Sequence, residues 1–165
     1  MAQIVLETLP ENAQELRAYP GFTLTDPNLV AALSVAALMR FPADRDAAIE
    51  MLNVLKGPKP LTPFEIQFIR DRFMDGKDYV IRSYFQGATP ENDYQPDIPY
   101  TLTIEENPYS RQNEGYLVLH LPSGGADHPR QIELRLKPST GEWFLWSFES
   151  ILAGVRVPKA LDPWA

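Results

Sequence analysis

Near residue 78 the spacing of apolar residues changes from a period of about 3.6 to a period of about 2. Before that point they recur every third or fourth position, as along one face of a helix. After it they alternate with polar residues, as along one face of a strand. A chain that spends its helices first and its strands second is expected to be an α+β domain, with helices packed on one face of the sheet. The pattern predicts about three helices, then an antiparallel meander of about five strands. The connections between strands are too short for crossover helices, which argues against parallel pairing.

The helical part spans residues 26 to 77. "TDPNLVAALSVAALMRFP" predicts a helix with Asp26 as cap, Pro27 at the first helical position and Pro42 closing the segment. Leu29, Val30, Leu33, Ala36 and Ala37 leave almost no polar face, so this helix is expected at the centre of the core. "ADRDAAIEMLNVLKGP" predicts a second helix, striped by Ala48, Ile49, Leu52 and Leu55 and stopped at Gly57 and Pro58. "LTPFEIQFIRDRFMDGK" predicts a third. Thr62 and Glu65 have capping-box spacing around Pro63, and Gly76 is placed to end it.

The sheet is expected over residues 78 to 148. Its predicted strands are "YVIRSYF" (79 to 85), "IPYTLTIEE" (98 to 106), "YLVLHL" (116 to 121), "RQIELRLK" (130 to 137) and "EWFLWSF" (142 to 148). Residues 1 to 25 read as an N-terminal extension holding a short helix near "PENAQELRAY". Residues 149 to 165 read as a helical turn at "FESILAG" and an extended tail. The 165 residues are taken as one domain.

The last strand poses a question of faces. A strand with one wet side alternates apolar and polar residues. In "GEWFLWSF" Trp143 and Leu145 point one way, while Phe144, Trp146 and Phe148 point the other. N-terminal helices can cover only one side. The second side is expected to be covered by the C-terminal tail, with Trp164 as part of the cover, or else to form an interaction surface.

Composition closes off several classes of function. The chain has no cysteine, which removes disulfides, thiolate metal sites, iron–sulfur clusters and thiol nucleophiles. Its formal net charge of −7 argues against sequence-independent nucleic-acid binding, which rests on Lys and Arg neutralising phosphates. The first residues have neither a basic region nor a long apolar one, so no signal peptide is read there. The most apolar stretch, residues 28 to 39, is too short to span a bilayer. A cytoplasmic protein with no cofactor, no nucleic-acid partner and no membrane partner is expected.

Three groups of residues carry candidate chemistry. "SGGADHPR" (123 to 130) joins two glycines to Asp127, His128 and Arg130, which suits an anion nest as well as a plain strand connection. His120 and His128 flank this loop, yet with Asp127 they match no metal-ligand spacing, and no metal site is expected. "SYFQGATPENDYQPDIPY" (83 to 100) sets Tyr84 and Tyr94 among amides on a proline-rich connection, which is recognition chemistry or self-packing. Trp143 and Trp146 on the last strand complete the set of candidate binding residues. No nucleophile–base arrangement is present, so no catalytic residue is assigned.

The strings "SGGADHPRQIELR", "GEWFLWSF" and "ILAGVRVPKALDPWA", with "SYFQGATPENDY" upstream, resemble an uncharacterised bacterial family, a domain of unknown function. The resemblance runs from about residue 27 to the C-terminal end. It implies a bacterial origin and carries no activity, ligand or catalytic residue. The function expected from the residues is a non-catalytic module that binds a protein or peptide through the second sheet face and the 86 to 97 loop. A small-molecule or hydrolytic site near residues 123 to 130, and self-association as a homo-oligomer, are the alternatives.

Overall fold

The computed structural model describes residues 1 to 165, and the fold is α+β. In chain order the elements are β1 (Ala2–Leu6), α1 (Ala13–Arg17), α2 (Pro27–Arg40), α3 (Arg45–Lys56), α4 (Pro63–Phe73), α5 (Tyr79–Arg82), β2 (Tyr100–Ile104), β3 (Tyr116–Leu121), β4 (Arg130–Lys137) and β5 (Glu142–Ser147). Single turns of 3₁₀ helix follow α4, precede β2 and punctuate the C-terminal segment.

Local chemistry sets the helix boundaries. The Asp26 carboxylate accepts from the Asn28 and Leu29 N–H groups, and Pro27 occupies the first turn of α2. Asp44 caps α3 by accepting from the Ala47 N–H. At α4 the capping box is complete: Thr62 accepts from the Glu65 N–H at 3.1 Å, and Glu65 accepts from the Thr62 N–H at 3.0 Å. Every residue of α2 from Val30 to Leu38 is buried. Ser34, the one polar residue in that run, donates to the Val30 carbonyl at 2.7 Å. α2 is the central rod of the core. α3 packs beside it, and both lie against β5.

The sheet departs from a single five-stranded meander. β1 pairs with β2, and β3, β4 and β5 form a separate antiparallel ladder. One bridge links the two: the Glu105 N–H donates to the His120 carbonyl and the His120 N–H to the Glu105 carbonyl, each at 2.9 Å. All pairing is antiparallel. The number of strands is five, with different members from those expected. Residues 79 to 85 are not a strand. Tyr79–Arg82 form the helical turn α5, and only Phe85 bridges to Leu102. The missing strand is β1, inside what reads as an N-terminal extension. Leu6 and Leu16 are wholly buried, so residues 1 to 25 help build the core.

β5 answers the question of faces. Leu145 is buried and Trp143 packs against the core, with its N–H donating to the Leu24 carbonyl at 2.7 Å. A bulge breaks the register: Leu134 faces Leu145, yet Glu133 faces Ser147, which leaves Trp146 without a partner across the ladder. The extra residue shifts the parity. Phe148, expected beside Trp146, turns instead into the core, where it is completely buried. Only Phe144 and Trp146 are left on the outer side. The tail does not cover them, since Trp164 is 91% exposed. The turn at Gly57 lies against Phe144, and the cations Lys59 and Arg135 lie over Trp146.

Candidate binding cleft

The α3 helix ends at Lys56, and the turn that follows lies against the outer side of β5. A Cβ on Gly57 would overlap the Phe144 ring, so only glycine lets the turn approach so closely. The turn brings Lys59 to 5.2 Å from the centre of the Trp146 ring. From β4, Arg135 stacks on the same ring at 4.6 Å and reaches Tyr116 at 5.4 Å. Tyr116 meets Trp146 edge-on at 5.9 Å. The result is a ladder in which the charged heads of two exposed residues lie over aromatic rings.

Between this ladder and the turn lies a cleft of about 530 Å³, within the size range of small-ligand sites. Phe144, Leu145 and Trp146 give it an apolar wall, and Lys59, Arg135 and Lys137 line its rim. None of these three cations has a carboxylate within ion-pairing distance. Lys56, at the back of the cleft, differs: it is nearly buried and pairs with Glu65 at 3.1 Å. Burial raises the pKa of the Glu65 carboxyl. The Thr62 N–H and the Lys56 ammonium outweigh this and hold it below its ordinary value.

The residues singled out from the sequence fall into two places. Trp146 belongs to the cleft, while Trp143 faces the core on the other side of β5. Tyr84, Tyr94, Asp127 and Arg130 gather instead around the C-terminal segment. The Tyr84 hydroxyl is buried and donates to the Ile151 carbonyl at 2.7 Å. Burial pushes its pKa far above the ordinary tyrosine value, with Arg130 opposing. Arg130 donates to the Ala153 and Gly154 carbonyls at 3.0 and 2.8 Å. Tyr94, wholly buried, donates to the Arg156 carbonyl, and Asp127 pairs with Arg156 at 2.8 Å. His128 is exposed on the same loop.

This cluster is a clamp. Gly124 donates to the Ser83 carbonyl at 2.8 Å, and a Cβ there would overlap the Ala88 carbonyl oxygen. A Cβ on Gly125 would overlap the Tyr94 hydroxyl. The two glycines therefore serve close backbone approach. The 86 to 97 loop closes on itself, with Asn92 donating to the Gly87 carbonyl at 2.6 Å and the Asp97 N–H to the Gln86 carbonyl at 2.9 Å, and Arg82 of α5 holds it by donating to the Tyr94 and Asp93 carbonyls at 3.2 Å each. No group of three His, Asp or Glu side chains is arranged to hold a metal ion. No helix is long and apolar enough to cross a membrane.

Lys59, Arg135 and Lys137 were missed as site residues. A signal for two of them was present: "RQIELRLK" alternates, which puts Arg135 and Lys137 on the outer face together. Lys59 is placed by a turn, which carries no periodicity.

The chain belongs to the family described as Domain of unknown function (DUF6935), whose model matches residues 8–159. No curated protein and no solved structure matches it.

Proposed function

We propose that this family member is a non-catalytic module of a bacterial cytoplasm that binds an acidic peptide segment of a partner protein in the cleft beside Trp146. One observation carries the reading. Lys59, Arg135 and Lys137, free of carboxylate partners, converge on an apolar aromatic wall in a chain of net charge −7. A cluster of unpaired cations attracts and orients an anionic partner. The aromatic wall supplies the desolvated contact that charge alone does not. The site beside residues 123 to 130 has less support, because Asp127, Arg130 and Tyr94 already hold the C-terminal segment.

The test is selection from a random peptide library displayed on phage, with the purified full chain as bait. Enriched peptides are expected to carry Asp or Glu beside an aromatic or aliphatic residue. Binding of a synthetic copy should weaken with added salt and fall at least about tenfold in Arg135→Glu or Lys59→Glu. Both residues are exposed, so the variants should fold. Enriched peptides without acidic residues, or binding indifferent to both reversals, would overturn the reading.

A further inference from the structure

A second concavity, of about 260 Å³, lies where the loop after β2 folds over β3 and β4. It is unlike the first, since neither a carboxylate nor a Lys or Arg lines it. Four primary amides do: Asn107, Gln112, Asn113 and Gln131. Tyr109 stands at its rim, 72% exposed, and His120 forms part of its base. In a chain of which 22% of residues are charged, a hollow with four amides and no formal charge selects for neutral polar chemistry.

The loop is held in shape before any ligand arrives. Asn107 accepts from the Tyr109 N–H at 2.8 Å, and its own N–H donates to the Ser110 hydroxyl at 3.0 Å. Ser110 is buried, and its carbonyl accepts from the Val118 N–H at 2.9 Å. With the Asn107 oxygen so engaged, its amide nitrogen faces His120 Nε2 at 3.3 Å. Gln131 brings a second amide nitrogen to the same atom at 3.4 Å. In the neutral ring Nε2 is then the acceptor, and the proton sits on Nδ1, which is buried with no partner. Both contacts to Nε2 are at the long limit for a hydrogen bond. Two loose donors share one acceptor, and the side chains of Gln112 and Asn113 are unengaged.

We propose that this hollow binds a neutral polyhydroxylated ligand, a single sugar residue in size. A hydroxyl can donate to Nε2 at a shorter distance while accepting from the Asn107 or Gln131 amide that it displaces. Neighbouring hydroxyls meet Gln112 and Asn113, which offer donors and acceptors alike. The exposed Tyr109 ring gives the C–H face of the sugar an apolar platform. The volume lies just below the range of about 300–1,000 Å³ that suits drug-sized ligands, which limits the occupant to something small.

The experiment is a titration of isotope-labelled full chain, followed by amide NMR, with glucose, galactose, mannose and N-acetylglucosamine in turn, and with potassium phosphate as the charged control. At least one sugar should give saturable shifts concentrated at Asn107, Tyr109, Gln112, Asn113 and Gln131, and phosphate should not. Gln112→Ala and Gln131→Ala alter exposed side chains and should fold as wild type. Each should weaken binding about fivefold, the loss of one hydrogen bond. No saturable shift with any sugar, the same shifts with phosphate, or unchanged affinity in both variants would overturn the proposal.

Discussion

Lys56 and Glu65 join the end of α3 to the start of α4 through a 3.1 Å ion pair that is almost out of water, with side chains 5% and 17% exposed. Glu65 does two jobs in this pair. Its second oxygen accepts from the Thr62 N–H and closes the capping box that starts α4. The Lys56 ammonium also lies 5.7 Å from the Phe148 ring, whose burial follows from the bulge at Trp146. One lysine thus ties helix, cap and sheet together behind the cleft.

Removing Glu65 leaves the Lys56 charge buried and unpaired and breaks the cap. Glu65→Ala is expected to lower stability by about 3 kcal/mol or more, read by urea denaturation. Lys56→Met keeps the stem against Phe148 and leaves Glu65 its Thr62 partner, so it should cost about 1 kcal/mol or less. The folded-state pKa of Glu65 is depressed, so its contribution is present above about 4.5 and is lost as pH falls through the lower folded value. Acid destabilisation below that point should be shallower in Glu65→Gln than in wild type.

The Gly124 position allows a sharp comparison. Alanine there would drive its Cβ into the backbone oxygen of Ala88, which no rotamer change can relieve. Gly124→Ala should cost about 3 kcal/mol. At Gly154 a Cβ meets nothing and the backbone needs no positive φ, so Gly154→Ala should lie within about 0.5 kcal/mol of wild type. Equal melting temperatures for the two variants would remove the close-approach account of the "SGG" loop.

Tyr84, Tyr94 and Tyr19 all have pKa values raised by burial. A raised folded value means the unfolded chain releases these protons first. Their stabilising contribution is therefore full below about pH 10 and is lost as the pH climbs above it. Stability should fall with alkaline pH, and less steeply in Tyr84→Phe, measured by urea unfolding between pH 8 and 11. At neutral pH Tyr84→Phe leaves the Ile151 carbonyl without its donor and should cost about 1–2 kcal/mol.

The helices were legible because their signals are local. Asp26 with Pro27, and Thr62 with Glu65, fix chain direction within four residues, and the structure uses both. β3 and β4 were legible to the residue, because "RQIELRLK" alternates against a core that holds Ile132 and Leu134. What failed depends on distant partners. "YVIRSYF" carries apolar residues on both faces of a strand, and Tyr79, Val80, Ile81, Tyr84 and Phe85 are all buried, so its pattern suits a helical turn as well as a strand. β1 is defined by a partner about a hundred residues away, Ala2 facing Ile104. The bulge at Trp146 reverses the side of Phe148, and period-2 counting has no means of registering an inserted residue. The tyrosines were chosen for their recognition chemistry, yet that same amphipathic character suits a buried ring with one hydrogen bond.

The C-terminal segment divides into a held part and a presented part. Arg130 grips the Ala153 and Gly154 carbonyls, the Arg156 N–H donates to the Gly125 carbonyl at 2.9 Å, and Val155 packs against the Tyr79 and Tyr94 cluster. Pro158 is still buried. Beyond it Leu161 is 64% exposed and Trp164 91% exposed, so little apolar area leaves water there. Deleting residues 159 to 165 should therefore shift the melting temperature by no more than about 2 °C, the equivalent of a surface change in a chain of this size. Deleting residues 153 to 165 should do far more. It strips the acceptors from Arg130 and Tyr94, uncovers the Tyr79 and Tyr94 rings, and leaves buried donors unpaired, at a cost of about 3 kcal/mol or more. Both truncations would be compared with the full chain by thermal unfolding and size exclusion. A large loss on the shorter deletion would show that Trp164 finds a seat on the body after all, and an unchanged melting temperature on the longer one would remove the clamp.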